Sequence, residues 1–325
     1  MSKGKTTIAI KFNIIIIIII LIFLILIFQK YNERNSDNST FVPKIDYDNS
    51  LTSLACSIEK YFEINPLHKT LNFIDNLFEE KQPENVILLL FDGLGSRIIN
   101  KFLDNNSFLK KNMKSEIYSV FPPTTASCLN SIKTGLNPSE HGWLGFSIYV
   151  PSINKIIDLF SDCEKGKGYK DNDFLKIKNE TYYENKPITD LIKNKGKYLA
   201  FDLSGHPYNI ETNIDKVFER ILKTLEIKGK KYIFSFYVEP DNILHIKGPN
   251  SKEGIEQLKI INNKVEEYSQ KILKHNKTML IIVADHGHLM SNPKKVFHNK
   301  ISKFLKTKKI FIENRTPAFL VKPSY

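Results

Sequence analysis

The stretch NVILLLFDGLG, residues 85–95, is a continuous apolar run that ends in an acidic residue and two glycines. An apolar run of this length, bounded by turn-forming residues, is typical of a strand that is buried on both faces, as in a parallel sheet. Two later stretches share this design: YIFSFYV (Tyr232–Val238) precedes Glu239-Pro240-Asp241, and TMLIIVA (Thr278–Ala284) precedes Asp285-His286-Gly287. The sequence therefore predicts three buried strands with acidic residues at their carboxyl ends.

Helical patterns separate these strands. Residues Ser251–His275 carry regularly spaced aliphatic side chains among charges, which predicts an amphipathic helix, and Leu51–Phe78 predicts helices around a connection at Asn65-Pro66. KYLAFDL (Lys197–Leu203) predicts a fourth strand. Because strands alternate with helices, we expect an α/β fold with a doubly wound, mostly parallel sheet and helices on both faces, in one domain over residues 51–325.

The N-terminal region has the composition of a membrane segment. Residues Phe12–Phe28 read FNIIIIIIILIFLILIF, and as a helix they would be about 25 Å long, against a hydrocarbon core of roughly 30 Å. Lysines in residues 1–11 predict that the N-terminus stays in the cytoplasm, and the polar residues 29–50 predict a linker. We expect a single-pass anchor with an extracytoplasmic domain. A cleaved signal peptide is the alternative, although no small-residue cleavage site follows the run.

The overall composition is that of a globular protein and points to no nucleic-acid-binding module. The formal charge is +12, but the lysines are scattered along the chain and form no basic patch interleaved with aromatic residues. We attribute the charge to a general bias toward Lys, Asn and Ile. Three cysteines, Cys56, Cys128 and Cys163, show no metal-ligand spacing, so we expect core residues or unpaired thiols.

Each of the three main predicted strands ends in residues that commonly bind metals. Asp92 follows the first, Asp241 and His245 follow the second, and Asp285 and His286 follow the third. Ligands of open parallel sheets bind beyond the carboxyl ends of the strands, so these side chains should meet at one edge. Carboxylate oxygens with imidazole nitrogens suit zinc or another divalent first-row metal such as manganese.

A candidate nucleophile lies in FPPTTASCLNSIKTG, residues 121–135. Pro122-Pro123 cannot lie within a helix interior, and the stretch after Thr125 predicts a helix. Thr125 would then sit at a helix N-terminus, where backbone N–H groups favour phosphate and a metal can make a hydroxyl nucleophilic. Simple N-capping by Thr124 or Thr125 is the structural alternative.

Five motifs in order resemble the alkaline phosphatase superfamily, specifically its type I phosphodiesterase/nucleotide pyrophosphatase branch: FDGLG (residues 91–95), FPPTTAS (121–127), TGLNPSEHGWLG (134–145), YVEPDNILHIKGP (237–249) and VADHGH (283–288). The resemblance implies two divalent cations, zinc with manganese as the alternative. One would be held by Asp92, Thr125, Asp285 and His286. The other would be held by Asp241 and His245, together with a histidine from near the family's C-terminus.

The resemblance also implies a reaction. Thr125, which matches the family's nucleophile, would attack phosphorus in line and form a phosphothreonine, which water then hydrolyses. The substrate would be a phosphodiester or a nucleotide pyrophosphate. A phosphomonoesterase or phosphotransferase on the same scaffold is one alternative, and a catalytically silent, membrane-tethered protein without the second metal is another.

The chain departs from the family pattern at two places. The C-terminal histidine has no evident counterpart, so we expect the domain to be incomplete at its C-terminus. His298 lies in an expected surface helix, and His288 is expected to face away from the metal pair. In HGWLGFSIYV (residues 141–150) the asparagine that donates to phosphate in nucleotide pyrophosphatases is absent, and we expect His141 to be structural. The polar segment Pro151–Pro187 is expected to be a substrate-facing insertion.

Overall fold

A computed structural model describes residues 45–177, 186–205, 210–290, 302–306, 310–313 and 316–322. The predicted membrane segment Phe12–Phe28 and His298 lie outside these ranges. Within the described part of the chain, no helix combines the length and the apolar content needed to cross a bilayer. The unit that begins at Ile45 includes residues 45–50, which were expected to be linker, and there Ser50 is buried and donates a hydrogen bond to the backbone oxygen of Tyr47.

The main sheet has four parallel strands. They are β1 (Asn85–Phe91), β5 (Leu199–Asp202), β6 (Lys231–Tyr237) and β7 (Thr278–Ala284), in the spatial order β5-β6-β1-β7. The predicted strands over residues 85–91 and 278–284 are confirmed, and the other two differ only at their ends. In the register of the sheet, Phe91 lies opposite Tyr237 on one side and Ala284 on the other. The three strands therefore end at the same level.

Helices cover both faces of this sheet, as the continuous burial of β1 requires. Val86, Leu88 and Leu90 pack into one hydrophobic cluster, while Ile87 and Leu89 pack into a second cluster on the opposite face. The first cluster includes side chains from α1 (Leu51–Tyr61), α2 (Asn72–Lys81), α5 (Thr125–Thr134) and α8 (Ile188–Asn194). The second includes side chains from α3 (Ser96–Phe102), α4 (Phe108–Asn112), α9 (Ile214–Leu225), α10 (Asp241–Lys247) and α11 (Lys252–Ile272).

The longest of these helices shows how the local sequence fixes an element. Ser251 caps α11, because its hydroxyl accepts the backbone N–H of Gly254 at 3.0 Å. The buried side chains Leu258, Ile261, Val265, Tyr268 and Ile272 recur at intervals of three and four residues, so they line a single face. Full burial of such a side chain contributes about 1.5–3 kcal/mol. The prediction of a helix within Ser251–His275 is confirmed.

A second, antiparallel sheet was not predicted. It comprises the short strands β2 (Ser147–Val150), β3 (Lys155–Asp158), β4 (Cys163–Glu164), β8 (Phe311–Ile312) and β9 (Pro317–Ala318), in the order β4-β3-β2-β8-β9. Two further α-helices are α6 (Pro138–His141) and α7 (Asn172–Ile177). Part of the expected substrate-facing insertion thus forms β3, β4 and α7, with Trp143, Ile157 and Phe174 in a small core of their own. Strands of two to four residues are too short to show an alternating pattern.

Candidate metal centre

The parallel strands bring three carboxylates to one edge of the main sheet. Asp92 follows β1 directly, Asp285 follows β7 directly, and Asp241 begins α10 after the turn that leaves β6. Backbone hydrogen bonds hold this edge together: the N–H of Asp92 donates to Tyr237, and the N–H of Asp241 donates to Asp92. The ends of the three predicted strands therefore converge at one edge of the sheet.

Thr125 lies against this edge at the first residue of α5. The preceding Thr124 has an extended backbone, with φ −122° and ψ 146°, so the helix cannot begin earlier. The Thr125 hydroxyl donates to Asp92 Oδ1 at 3.3 Å, and His286 Nε2 is 3.3 Å from Thr125 Oγ1. No side chain caps the N-terminus of α5 within the part of the chain that the structure describes. Its first-turn N–H groups are therefore available to an anion beside Thr125.

One group of ligand atoms combines Asp92, Asp285 and His286, all buried and within 4.8 Å of one another. Asp285 Oδ1 accepts the backbone N–H groups of Gly93 and His286, at 2.9 and 2.8 Å. Its other oxygen, Oδ2, is buried without a hydrogen-bond partner among the described residues and lies 3.5 Å from His286 Nε2. A buried carboxylate oxygen left in this state is costly unless a cation binds it.

A second group combines Asp241, His286 and His288, again with ligand atoms within 4.8 Å. His288 Nε2 is 2.7 Å from Asp241 Oδ1, and His245 Nε2 is 3.3 Å from the same oxygen. The expectation that His288 faces away from the centre is therefore wrong. Gly287 packs closely against Gly95. The ring of the next residue, His288, consequently turns toward Asp241 rather than toward solvent.

Glycines make this close packing sterically feasible. Gly93 has a φ of +73°, and a Cβ there would lie 2.9 Å from His288 Nε2 and 3.2 Å from the Cα of Asp241. A Cβ on Gly95 would lie 2.7 Å from the Cα of Gly287. Real Cβ atoms essentially never approach other atoms within 3.0 Å, so the FDGLG loop can pack this closely because residues 93 and 95 are glycines.

The electrostatics of the centre call for bound cations. Burial, together with the nearby charges of Asp285 and Asp241, raises the pKa of Asp92 well above its usual range. Burial also acts on Asp241, but the hydrogen bond from His288 and the charges of the neighbouring histidines outweigh it and lower the pKa of Asp241. No described lysine or arginine pairs with any of the three carboxylates. Carboxylate, imidazole and hydroxyl donors together fit divalent metals such as zinc or manganese.

The remaining histidine singled out from the sequence, His141, is buried away from these groups. Its Nε2 lies 3.0 Å from the Ser131 hydroxyl, and its Nδ1 accepts the backbone N–H of Trp143 at 3.0 Å. Burial lowers the pKa of His141 to about 4. The ring therefore connects α5 to the loop after α6 by hydrogen bonds, as expected of a structural residue. The three cysteines are likewise free thiols and buried.

Comparisons with known proteins agree with this architecture. Human ectonucleotide pyrophosphatase/phosphodiesterase family member 1 is 28% identical over 235 residues, which cover 66% of this chain and 23% of the relative. Venom phosphodiesterase 2 of Crotalus adamanteus is 27% identical over 183 residues, covering 52% of this chain and 22% of the relative. The chain thus spans about a quarter of the length of these curated relatives.

Solved structures share the fold. Murine ectonucleotide pyrophosphatase/phosphodiesterase 5 superposes with a TM-score of 0.57 at 20% identity, covering 73% of this chain and 66% of that one. The human counterpart gives a TM-score of 0.54 at 19% identity, covering 74% and 66%. The sequence profile of type I phosphodiesterases/nucleotide pyrophosphatases matches residues 86–324, which include every residue of the candidate centre. The chain therefore belongs to the type I phosphodiesterase/nucleotide pyrophosphatase family, within the alkaline phosphatase superfamily.

Proposed function

We propose that this protein hydrolyses phosphodiester or nucleotide pyrophosphate bonds at a two-metal site, with Thr125 as the nucleophile. The observation that carries the proposal is the position of the Thr125 hydroxyl, which contacts Asp92 and His286 at the uncapped N-terminus of a ten-residue helix. Membership of a family of phosphodiesterases and pyrophosphatases supports the reaction class. A Thr-to-Ala variant of the murine relative is described as inactive and bound to AMP, which supports both a threonine nucleophile and a nucleotide substrate.

Asp92, Thr125, Asp285 and His286 would hold one divalent cation, and Asp241 with His245 would belong to the other. Zinc is the proposed metal, with manganese as the alternative. Such cations, when bound, lower the pKa of a hydroxyl and neutralise charge on a phosphoryl group. The protein's own part is to keep the Thr125 oxygen buried and oriented. Asp92 accepts its hydrogen bond on one side, and His286 faces it on the other.

The reaction would proceed in two displacements. Thr125 Oγ1 forms a bond to phosphorus as the bond from phosphorus to the leaving oxygen breaks, and the leaving group departs as an alcohol or a nucleotide after taking up a proton. Water then attacks the phosphothreonine, releases the phosphorylated product and restores the Thr125 hydroxyl. During both steps the free N–H groups in the first turn of α5 would donate to the non-bridging phosphoryl oxygens.

Hydrolysis of two chromogenic esters tests this proposal. The purified protein, with added zinc or manganese, should cleave bis-p-nitrophenyl phosphate, and Thr125→Ala or an excess of chelator should abolish the cleavage. The matched control is Thr134→Ala, which removes a hydroxyl from the last turn of the same helix, where it donates to the backbone oxygen of Asn130 and accepts the backbone N–H of Leu136. Preference for p-nitrophenyl phosphate would favour the phosphomonoesterase alternative. Inactivity on both esters would contradict the proposal and favour a silent protein.

We also propose, from the sequence, that Phe12–Phe28 anchors the protein in a membrane with the catalytic domain outside the cytoplasm. The length and composition of the run and the lysines before it support this. Protease added to intact cells should then degrade the domain, and alkaline carbonate should fail to extract the chain. A mature chain that lacks the first residues by mass would instead indicate a cleaved signal peptide.

A further inference from the structure

We propose that His288 is a ligand of the second metal, where it joins Asp241 and His245. This inference rests on the proposed two-metal function.

The contacts of His288 support this role. Its Nε2 lies 2.7 Å from Asp241 Oδ1, and its side chain is only 7% exposed. The His245 ring lies beside the His288 ring, with centroids 5.0 Å apart and an interplanar angle of 79°. Two imidazoles thus lie close to the same carboxylate oxygen, Asp241 Oδ1. A Cβ at residue 93 would lie 2.9 Å from His288 Nε2, so the glycine there leaves room for the ring.

His286 cannot serve both sites, because a neutral imidazole nitrogen has one lone pair and binds one cation. Its Nε2 lies 3.3 Å from Thr125 Oγ1, 3.4 Å from Asp92 Oδ1 and 3.5 Å from Asp285 Oδ2, but 3.9 Å from Asp241 Oδ1. His286 therefore belongs with the first group. Asp241 is left with two imidazoles near its Oδ1, those of His288 and His245.

One carboxylate and two histidines form a ligand set that is typical of catalytic zinc, which leaves a fourth position for water or substrate. The order of residues in DHGH explains how one loop supplies both sites. Asp285 and His286 face Asp92 and Thr125, the loop passes against Gly95 at residue 287, and His288 faces Asp241. A hydrogen bond to Asp241 without metal binding is the competing role for His288, and metal content separates the two.

The first test counts bound zinc by mass spectrometry after equilibrium dialysis and measures the two dissociation constants by competition with a chromophoric chelator. Wild-type protein should bind two ions per chain. His288→Met, which replaces the imidazole with a side chain of similar bulk, should weaken one site at least about 100-fold, because loss of a partner outside the coordination shell alone typically costs 10–100-fold. The control is His275→Met, at a histidine whose partner is Glu226.

Two binding sites of unchanged affinity in His288→Met would overturn the assignment of His288 and leave the proposed function standing. Absence of bound metal in the wild-type protein would be a different result, which refutes the proposed function and the assignment with it. The two failures are therefore distinguishable without an activity measurement.

A second variant decides the question if His288→Met does not fold. His288→Cys loaded with cobalt should show thiolate-to-cobalt charge-transfer absorption in the near ultraviolet, because a coordinated cysteine binds as thiolate. Wild-type protein, whose three native cysteines are buried free thiols and belong to neither ligand group, is the control and should show none. Two bound cobalt ions in His288→Cys without that absorption would overturn the proposal.

Discussion

Replacement of Glu59 by glutamine should stabilise the protein above neutral pH. Glu59 lies on α1, is 5% exposed, and its carboxylate occupies the space beside Gly135, where a Cβ would come within 2.7 Å of Oε2. Gly135 ends the helix that begins at Thr125. No described lysine or arginine forms an ion pair with Glu59, and burial raises its pKa from 4.5 to about 7. The folded protein therefore disfavours the charged form.

The size of the effect follows from linkage. The unfolded chain releases the Glu59 proton near pH 4.5 and the folded chain near pH 7, so stability falls as the pH rises through this window. A shift of about 2.5 pKa units at 1.36 kcal/mol per unit corresponds to about 3.4 kcal/mol when fully developed. Part of this loss has already occurred at pH 5. The difference in unfolding free energy between Glu59→Gln and wild type should therefore move about 2.5 kcal/mol in favour of the variant from pH 5 to pH 8.

Urea unfolding at a series of pH values measures this difference. Other groups titrate equally in both proteins, so subtraction isolates Glu59. Glu79→Gln, at an exposed position on α2, is the matched control and should show a flat difference. If the two proteins lose stability in parallel between pH 5 and pH 8, the carboxylate is not held in a desolvated site and the reasoning fails.

Three further predictions follow from other features. Gly95→Ala should lower metal affinity and esterase activity at least about 10-fold, because its Cβ would meet the Cα of Gly287 at 2.7 Å; unchanged zinc titration would contradict this. His141, whose pKa is lowered by burial from 6.5 to about 4, should make the protein lose about 3 kcal/mol of stability as the pH falls through that window, and His141→Gln should lack that loss in acid unfolding curves. Zinc at 100 times its dissociation constant should add about 2.7 kcal/mol per site, so a chelator should lower the melting temperature by roughly 5 °C or more in thermal unfolding, and an unchanged melting temperature would argue against metal binding.

Most of the centre could be predicted because strand ends are constrained by the sheet. In a parallel sheet, residues that follow adjacent strands share one edge, so Asp92, Asp241 and Asp285 had to converge once their strands were identified. Thr125 could be placed because prolines fix where its helix begins. The local sequence and the geometry of one fold class are therefore enough to place these four residues.

The direction of His288 and the second sheet could not be predicted in this way. His288 turns inward because Gly287 packs against Gly95 and residue 93 has no side chain, contacts between segments far apart in the chain. Likewise, β8 pairs with β2 across more than half of the described chain, and neither strand exceeds four residues. No periodicity in the local sequence reports such long-range contacts.

The central position of β1 has a consequence for biosynthesis. Its two neighbours in the sheet, β6 and β7, are both made much later, and Gly93 is separated from its partner Asp285 by 192 residues. At about 5–20 residues per second, ribosomes would need roughly 10–40 s to complete that interval. During this time an apolar strand with two open edges awaits its partners, which favours association with other chains. A nascent chain therefore has no assembled site for the proposed metals to stabilise until β7 emerges, and dependence on chaperones should be greatest just before that point.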